Sequence, residues 1–154
     1  MIRGGVIALV SAAACLMAAP AAAQLAIGTG GGLLDPEDAF RISARALDAR
    51  TVEVEFRIAE GYYMYRDRFS FATGSGRRLA GIELPRGTPK DDKFFGRTQT
   101  YRNLVRIRVP VPAEEAASAS VDLKVTSQGC ADTGVCYLPL EQTVRVALPP
   151  EKRR

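Results

Sequence analysis

Thr51-Val52-Glu53-Val54-Glu55-Phe56-Arg57-Ile58 alternates apolar and polar residues without a fault. Val52, Val54, Phe56 and Ile58 fall on one face, so the segment reads as a strand with one buried side and one wet side. The pattern returns at residues 105–109, ended by Pro110, and at residues 121–125. It returns again at residues 144–148, ended by Pro149 and Pro150. Residues 40–46, 62–65, 69–72 and 79–84 are further strand candidates. Turn signals separate the runs at Gly74-Ser75-Gly76, Pro85-Arg86-Gly87 and Gly96. Residues 112–118 hold at most a helical turn. About eight short strands without a long amphipathic helix predict an all-β fold, an immunoglobulin-like antiparallel β-sandwich. A small barrel is the alternative, because the Cys…Trp…Cys signature of antibody domains is absent.

Composition narrows the chemistry. A chain of 154 residues, 47% hydrophobic and 25% charged, has the make-up of one globular domain. It contains no Trp and no His. That excludes His-based acid–base catalysis, Ser-His-Asp and Cys-His nucleophiles, and every His metal ligand. Zinc would have to rely on carboxylates and three cysteines, so no metal site and no cofactor are expected. The glycines at 28 and 30–32 are read as part of a flexible leader. A phosphate-binding role for them lacks the preceding strand and following helix that such loops need.

Residues 1–23 have an early cation (Arg3), an apolar run from Val6 to Ala19, and Ala21-Ala22-Ala23. This is the pattern of a cleavable secretory signal peptide, too short for a membrane span. The expected organisation is therefore a signal peptide at 1–23, a leader at 24–34, a β-sandwich domain at 35–149 and a basic tail at 150–154. Cys15 lies in the apolar run and leaves with it. Lipidation at Cys15 would want a Leu where Ala12 stands. The exported chain carries 20 basic and 17 acidic residues, and Lys152, Arg153 and Arg154 account for the excess. A balanced body with a short basic end is no nucleic-acid surface, which gathers cations on one face.

Export leaves two cysteines, Cys130 and Cys136, in Gln128-Gly129-Cys130-Ala131-Asp132-Thr133-Gly134-Val135-Cys136-Tyr137. A pair in an oxidising compartment can form a disulfide, and Gly134 lets the chain reverse between them. As a structural staple, closing so short a loop contributes about 2.4 kcal/mol in the chain-entropy model. A domain of this size can bury a core without it. Both readings, staple and redox pair, stand on spacing alone.

Three segments carry a resemblance to a known family. They are Gly61-Tyr62-Tyr63-Met64-Tyr65-Arg66, then Lys90-Asp91-Asp92-Lys93-Phe94-Phe95-Gly96 followed by Tyr101-Arg102, and the Gln128–Tyr137 stretch with Pro139. In order and spacing they resemble the N-terminal periplasmic domain of the membrane electron transporter DsbD, a thiol:disulfide interchange protein. The likeness runs from about Leu34 to Leu148, and the family fold is an immunoglobulin-like sandwich.

The resemblance implies a protein-disulfide reductase relay. Cys130 and Cys136 would cycle between dithiol and disulfide by thiolate attack on sulfur, with no cofactor. Cys136 would form the mixed disulfide and Cys130 would resolve it. The implied partners are periplasmic thioredoxin-fold proteins, of the disulfide isomerase or cytochrome c maturation type. Phe94 matches the aromatic of a cap loop that covers the disulfide, and Tyr63 and Tyr65 match aromatics lining the site. Asp92 matches an acidic residue of that loop, whereas Lys93 stands where the family often has a second acid. Asp132, beside the pair, is expected to disfavour the thiolate. The chain ends at Arg154, so the expectation is a free-standing monomeric protein of the periplasm. Its electron donor would be a separate membrane protein of the DsbD or CcdA type. Two other classes remain open: an immunoglobulin-like binding module with an inert disulfide, and a structural subunit docked on a membrane electron carrier.

Overall fold

The computed structural model describes residues 32–150. The expected signal peptide, most of the leader and residues 151–154 of the tail lie outside the described residues. Ten strands run in the order β1 (Phe40–Asp48), β2 (Thr51–Ile58), β3 (Tyr62–Tyr65), β4 (Ser70–Thr73), β5 (Thr88–Asp92), β6 (Gly96–Tyr101), β7 (Leu104–Pro110), β8 (Ser120–Ser127), β9 (Gly129–Ala131) and β10 (Leu140–Ala147). Single helical turns occur at α1 (Pro36–Ala39) and α2 (Ala113–Ala116), and a 3-10 turn at Arg66–Arg68. Among the described residues no helix is long and apolar enough to cross a membrane.

The strands form three antiparallel sheets, β1-β2-β7, β10-β8-β4 and β5-β6-β3-β9. The opening octapeptide is the middle strand of the first sheet. Its register sets Val54 between Ala44 and Ile107, and Phe56 between Ile42 and Val105. Val121, Leu123 and Val125 of β8 supply the facing surface, and all of these join one core cluster. The wet face of β2 is charged. Glu53 meets Arg45 at 2.7 Å, and Glu55 meets Arg106 at 2.8 Å and Arg57 at 3.0 Å. The fold is the immunoglobulin-like sandwich that the alternation predicts.

Two expectations need correction. Residues 79–84 form no strand; around the segment there are isolated bridges at Arg78 and Glu83, and the Leu79 N–H donates to the Phe71 carbonyl of β4 at 2.8 Å. Leu79, Ile82 and Leu84 nevertheless pack on the core. Their apolar spacing therefore reports burial without a ladder. The leader is also not free to its end, because the Leu34 N–H donates to the Tyr62 hydroxyl at 2.8 Å and its carbonyl accepts from the Tyr137 hydroxyl.

Strand β3 positions the functional end. All four of its residues are buried. Tyr62 and Met64 turn into the main core, while Tyr63 and Tyr65 turn into a second cluster around Cys130. Period-two geometry makes this division unavoidable for a strand covered on both faces.

Phe56 is fully buried at the centre of the sandwich. Phe56→Ala is expected to cost about 3–5 kcal/mol, read as a lower urea midpoint. A loss below about 1 kcal/mol would place the core elsewhere.

Candidate active site

Cys130 lies on β9 and pairs directly with Tyr63 of β3. Cys136 returns antiparallel to Cys130, and the two form a disulfide. The loop between them is a tight reversal: Gly134 N–H donates to the Ala131 carbonyl at 2.9 Å, and Ala131 N–H to the Val135 carbonyl at 2.8 Å. Gly134 takes φ +93°, which a side chain would resist. Cys130 is 0% exposed and Cys136 is half-buried. One cysteine is sealed and the other is partly open to solvent.

Gly129 sets how close β9 approaches. A Cβ there would overlap both the Phe40 ring and the Tyr63 carbonyl oxygen. Only a glycine lets β9 lie against β3 at this point, and the next residue is Cys130.

Behind the disulfide stands a hydrogen-bonded column. The Tyr65 hydroxyl lies 3.2 Å from Cys130 Sγ and 3.8 Å from Cys136 Sγ. It donates to Asp92 Oδ2 at 2.8 Å, and the Tyr63 hydroxyl approaches the same oxygen at 3.4 Å. Asp92 Oδ1 accepts from the backbone N–H groups of Phe94 at 2.8 Å and Phe95 at 3.2 Å. One buried carboxylate thus fixes both the tyrosine wall and the loop carrying the two phenylalanines. Burial pushes the Asp92 carboxyl up. The Phe94 N–H, the Tyr65 hydroxyl, the Phe95 N–H and the charge of Lys90 outweigh it, so the group ends below its ordinary range. Burial, the Tyr63 hydrogen bond and Asp92 all push the Tyr65 hydroxyl upward, so it stays protonated at neutral pH.

The two phenylalanines divide. Phe95 packs on the disulfide cluster, with its ring 4.8 Å from that of Tyr65. Phe94 is 57% exposed, and Lys93 Nζ lies 5.0 Å from its ring. The same ammonium would be 3.5 Å from a Cβ on Gly134. The Lys93–Phe94 tip therefore borders the disulfide loop, while the ring in fixed contact is Phe95, which adjacency to Phe94 alone does not reveal.

Asp132, expected to disfavour the thiolate, is ion-paired. Arg102 grips it with both nitrogens, at 2.9 and 2.7 Å. That pairing holds the Asp132 carboxyl below its usual range. Asp132 N–H donates to the Gly61 carbonyl at 2.7 Å, so the loop is pinned to the start of β3. Arg102 also lies 5.1 Å from the Tyr63 ring. Sequence reasoning records Arg102 only as a motif letter, because its partner lies 30 residues away. Among the described residues no cluster of His, Cys, Asp or Glu is arranged to hold a metal.

Comparison with known proteins gives a consistent result. Residues 31–148 match the family model for the N-terminal region of the thiol:disulfide interchange protein DsbD. The chain is 47% identical over 133 residues to the DsbD of Ralstonia nicotianae, covering 85% of this chain and 21% of that protein. It is 40% identical over 126 residues to DsbD 1 of Pseudomonas aeruginosa, covering 81% and 19%. The chain thus spans about a fifth of the length of these curated relatives. Among solved structures, the reduced DsbD N-terminal domain of Neisseria meningitidis superposes with a TM-score of 0.65 at 36% identity, covering 75% of this chain and 90% of that one. The complex between the DsbD N-terminal and PilB N-terminal domains of the same organism matches at 0.60 and 33% identity, covering 78% and 94%.

Two outcomes test this geometry. Gly129→Ala should cost about 2 kcal/mol or more through overpacking, and should raise thiol labelling of reduced Cys130; unchanged stability and labelling would contradict the close approach. A depressed carboxyl contributes stability that is present above its unfolded pKa and is lost as pH falls through the folded one. The stability gap between the wild type and Asp92→Asn should therefore be full at neutral pH and narrow below about pH 4. A gap constant down to about pH 2 would remove Asp92 from this role.

Proposed function

The chain belongs to the DsbD N-terminal domain family, and on that premise we propose that it is a periplasmic thiol–disulfide exchange protein. Its electrons pass through the Cys130–Cys136 pair to thioredoxin-fold partners. They are restored by a membrane electron donor of the DsbD type. The observation that carries the reading is the asymmetry of the pair. Cys130 is sealed behind two tyrosines and Cys136 is half-buried at the mouth of its loop. A purely structural clip needs no such difference, whereas an exchange pair needs one sulfur that meets partners and one that does not.

The exchange balances without a cofactor. In the reduced protein, the Cys136 thiolate attacks one sulfur of a partner disulfide, and the partner's other sulfur leaves as a thiolate. The Cys130 thiolate then attacks Cys136 Sγ, which releases the second partner thiolate. The protein dithiol becomes the disulfide, two electrons reach the partner, and the two thiol protons go with them. Tyr65 is placed to serve the buried sulfur. It can accept from a Cys130 thiol while donating to Asp92, or turn its proton toward a Cys130 thiolate. Charge on a buried sulfur is costly without such a donor.

Protection of the dithiol follows from access. Tyr63, Tyr65 and Phe95 are the standing wall. Phe94 would be the movable cap: Asp92 anchors its backbone at the edge of the site, and its ring, exposed beside Lys93, would swing over the sulfurs and be pushed aside by a docking protein.

Trapping tests the proposal. Cys130→Ala should accumulate mixed disulfides through Cys136 with thioredoxin-fold proteins in periplasmic extracts, and Cys136→Ala should accumulate far fewer. No trapped species from either variant would favour the inert clip. For the cap, Phe94→Ala should raise the rate at which the reduced protein reacts with hydrogen peroxide several-fold. An unchanged rate would remove Phe94 from the mechanism.

A further inference from the structure

The disulfide face gathers cations although the body of the chain is balanced. Lys90 Nζ lies 4.8 Å from the Tyr63 ring, and Arg68 stacks 4.1 Å over Phe95. Lys93 reaches the Gly134 turn. Of the nearby carboxylates, Asp132 is taken by Arg102, Asp67 by Arg66, and Asp92 faces inward to the tyrosines. Asp91 stands opposite Arg97 in the β5–β6 register without an ion pair to it among the described residues, so Arg97 keeps its donors and Asp91 is the one nearby carboxylate left uncompensated. Arg68 and Lys93 form no ion pair among the described residues.

Two of the cations frame a recess. A pocket of about 160 Å³ is lined by Tyr65, Asp67, Arg68, Phe95, Arg97 and Thr98. One of its lining residues, Tyr65, has its hydroxyl 3.8 Å from Cys136 Sγ. Exposed apolar side chains stand next to Cys136 in the chain: Val135 at 43% and Leu138 at 86%. An apolar centre with a charged rim is the anatomy of a protein interface. The unpaired cations are fewer than the clusters that hold a protein on anionic lipid.

Resting on the exchange reading above, we infer that this face selects partners that are acidic around their own cysteines, and that a partner carboxylate docks between Arg68 and Arg97. Attraction of this kind raises encounter rates and fixes orientation more than it adds raw affinity. Its signature is therefore a rate that depends on partner charge and on salt.

The test uses the reduced full chain and synthetic peptides of one sequence. Each peptide carries a single cysteine as its 2-pyridyl disulfide, flanked by Glu, Gln or Lys. Attack by Cys136 on the peptide sulfur expels 2-thiopyridone. Cys130 then releases the peptide thiol, so the protein is oxidised as the pyridyl disulfide is reduced. Release of 2-thiopyridone reads the rate. At about 10 mM ionic strength the Glu peptide should react about five- to tenfold faster than the Lys peptide, and the ratio should approach one at about 0.5 M salt. Arg97→Gln should lower the Glu-to-Lys ratio, and Arg97→Glu with Lys93→Glu should invert it.

Equal rates for the three peptides at low salt would overturn the inference while leaving exchange intact. So would a ratio that survives Arg97→Glu with Lys93→Glu. Equal peptide rates together with binding to phosphatidylglycerol vesicles would assign the cations to lipid instead. No reaction with any peptide would instead contradict the exchange reading itself.

Discussion

Strand β3 has water on neither side, and its four residues therefore answer to two environments at once. Tyr62 and Met64 complete the sandwich core, and Tyr63 and Tyr65 form the back of the disulfide site. Any shift of β3 by one residue would exchange these sets, sending the site tyrosines into the core. The register is held by β9 on one edge and β6 on the other. Site geometry and fold stability are thus the same constraint, and Gly129 is where the two meet.

The electrostatics follow from that placement. A buried carboxylate at the end of β5 is tolerated because four donors converge on it, and in satisfying it they order the wall and the cap loop together. Around this inward-facing acid the outward charges are mainly basic. Arg102 offsets Asp132, and Lys93 lies beside the Gly134 turn. The disulfide is left in a setting that is sealed on the Cys130 side, polar behind, and cationic at the rim.

Much of this was legible in the residues. Strands β2, β7 and β8 face the core with one side and water with the other, and period-two alternation reports that directly. Strands β5 and β6 escaped notice because Thr88-Pro-Lys-Asp-Asp and Gly96-Arg-Thr-Gln-Thr-Tyr bury little, so no apolar period marks them. Strand β10 begins earlier than its apolar run, since residues 140–143 extend the ladder onto β8 without an apolar alternation. Residues 79–84 misled in the opposite sense: they are apolar because they cover the core, and they meet β4 and β7 at isolated points without a ladder. At the site, the cysteines, tyrosines and Asp92 were identifiable by resemblance. The Arg102–Asp132 clamp and the contact role of Phe95 depend on which loops fold onto one another, and no local pattern carries that.

The central claim is that the bond between Cys130 and Cys136 is made to be opened. The direct measurement is its equilibrium with a graded dithiothreitol redox buffer, read by thiol alkylation. The account predicts a reduction potential less negative than about −300 mV, within range of physiological dithiols. A potential below that value, where disulfides that serve only as structure lie, would contradict it.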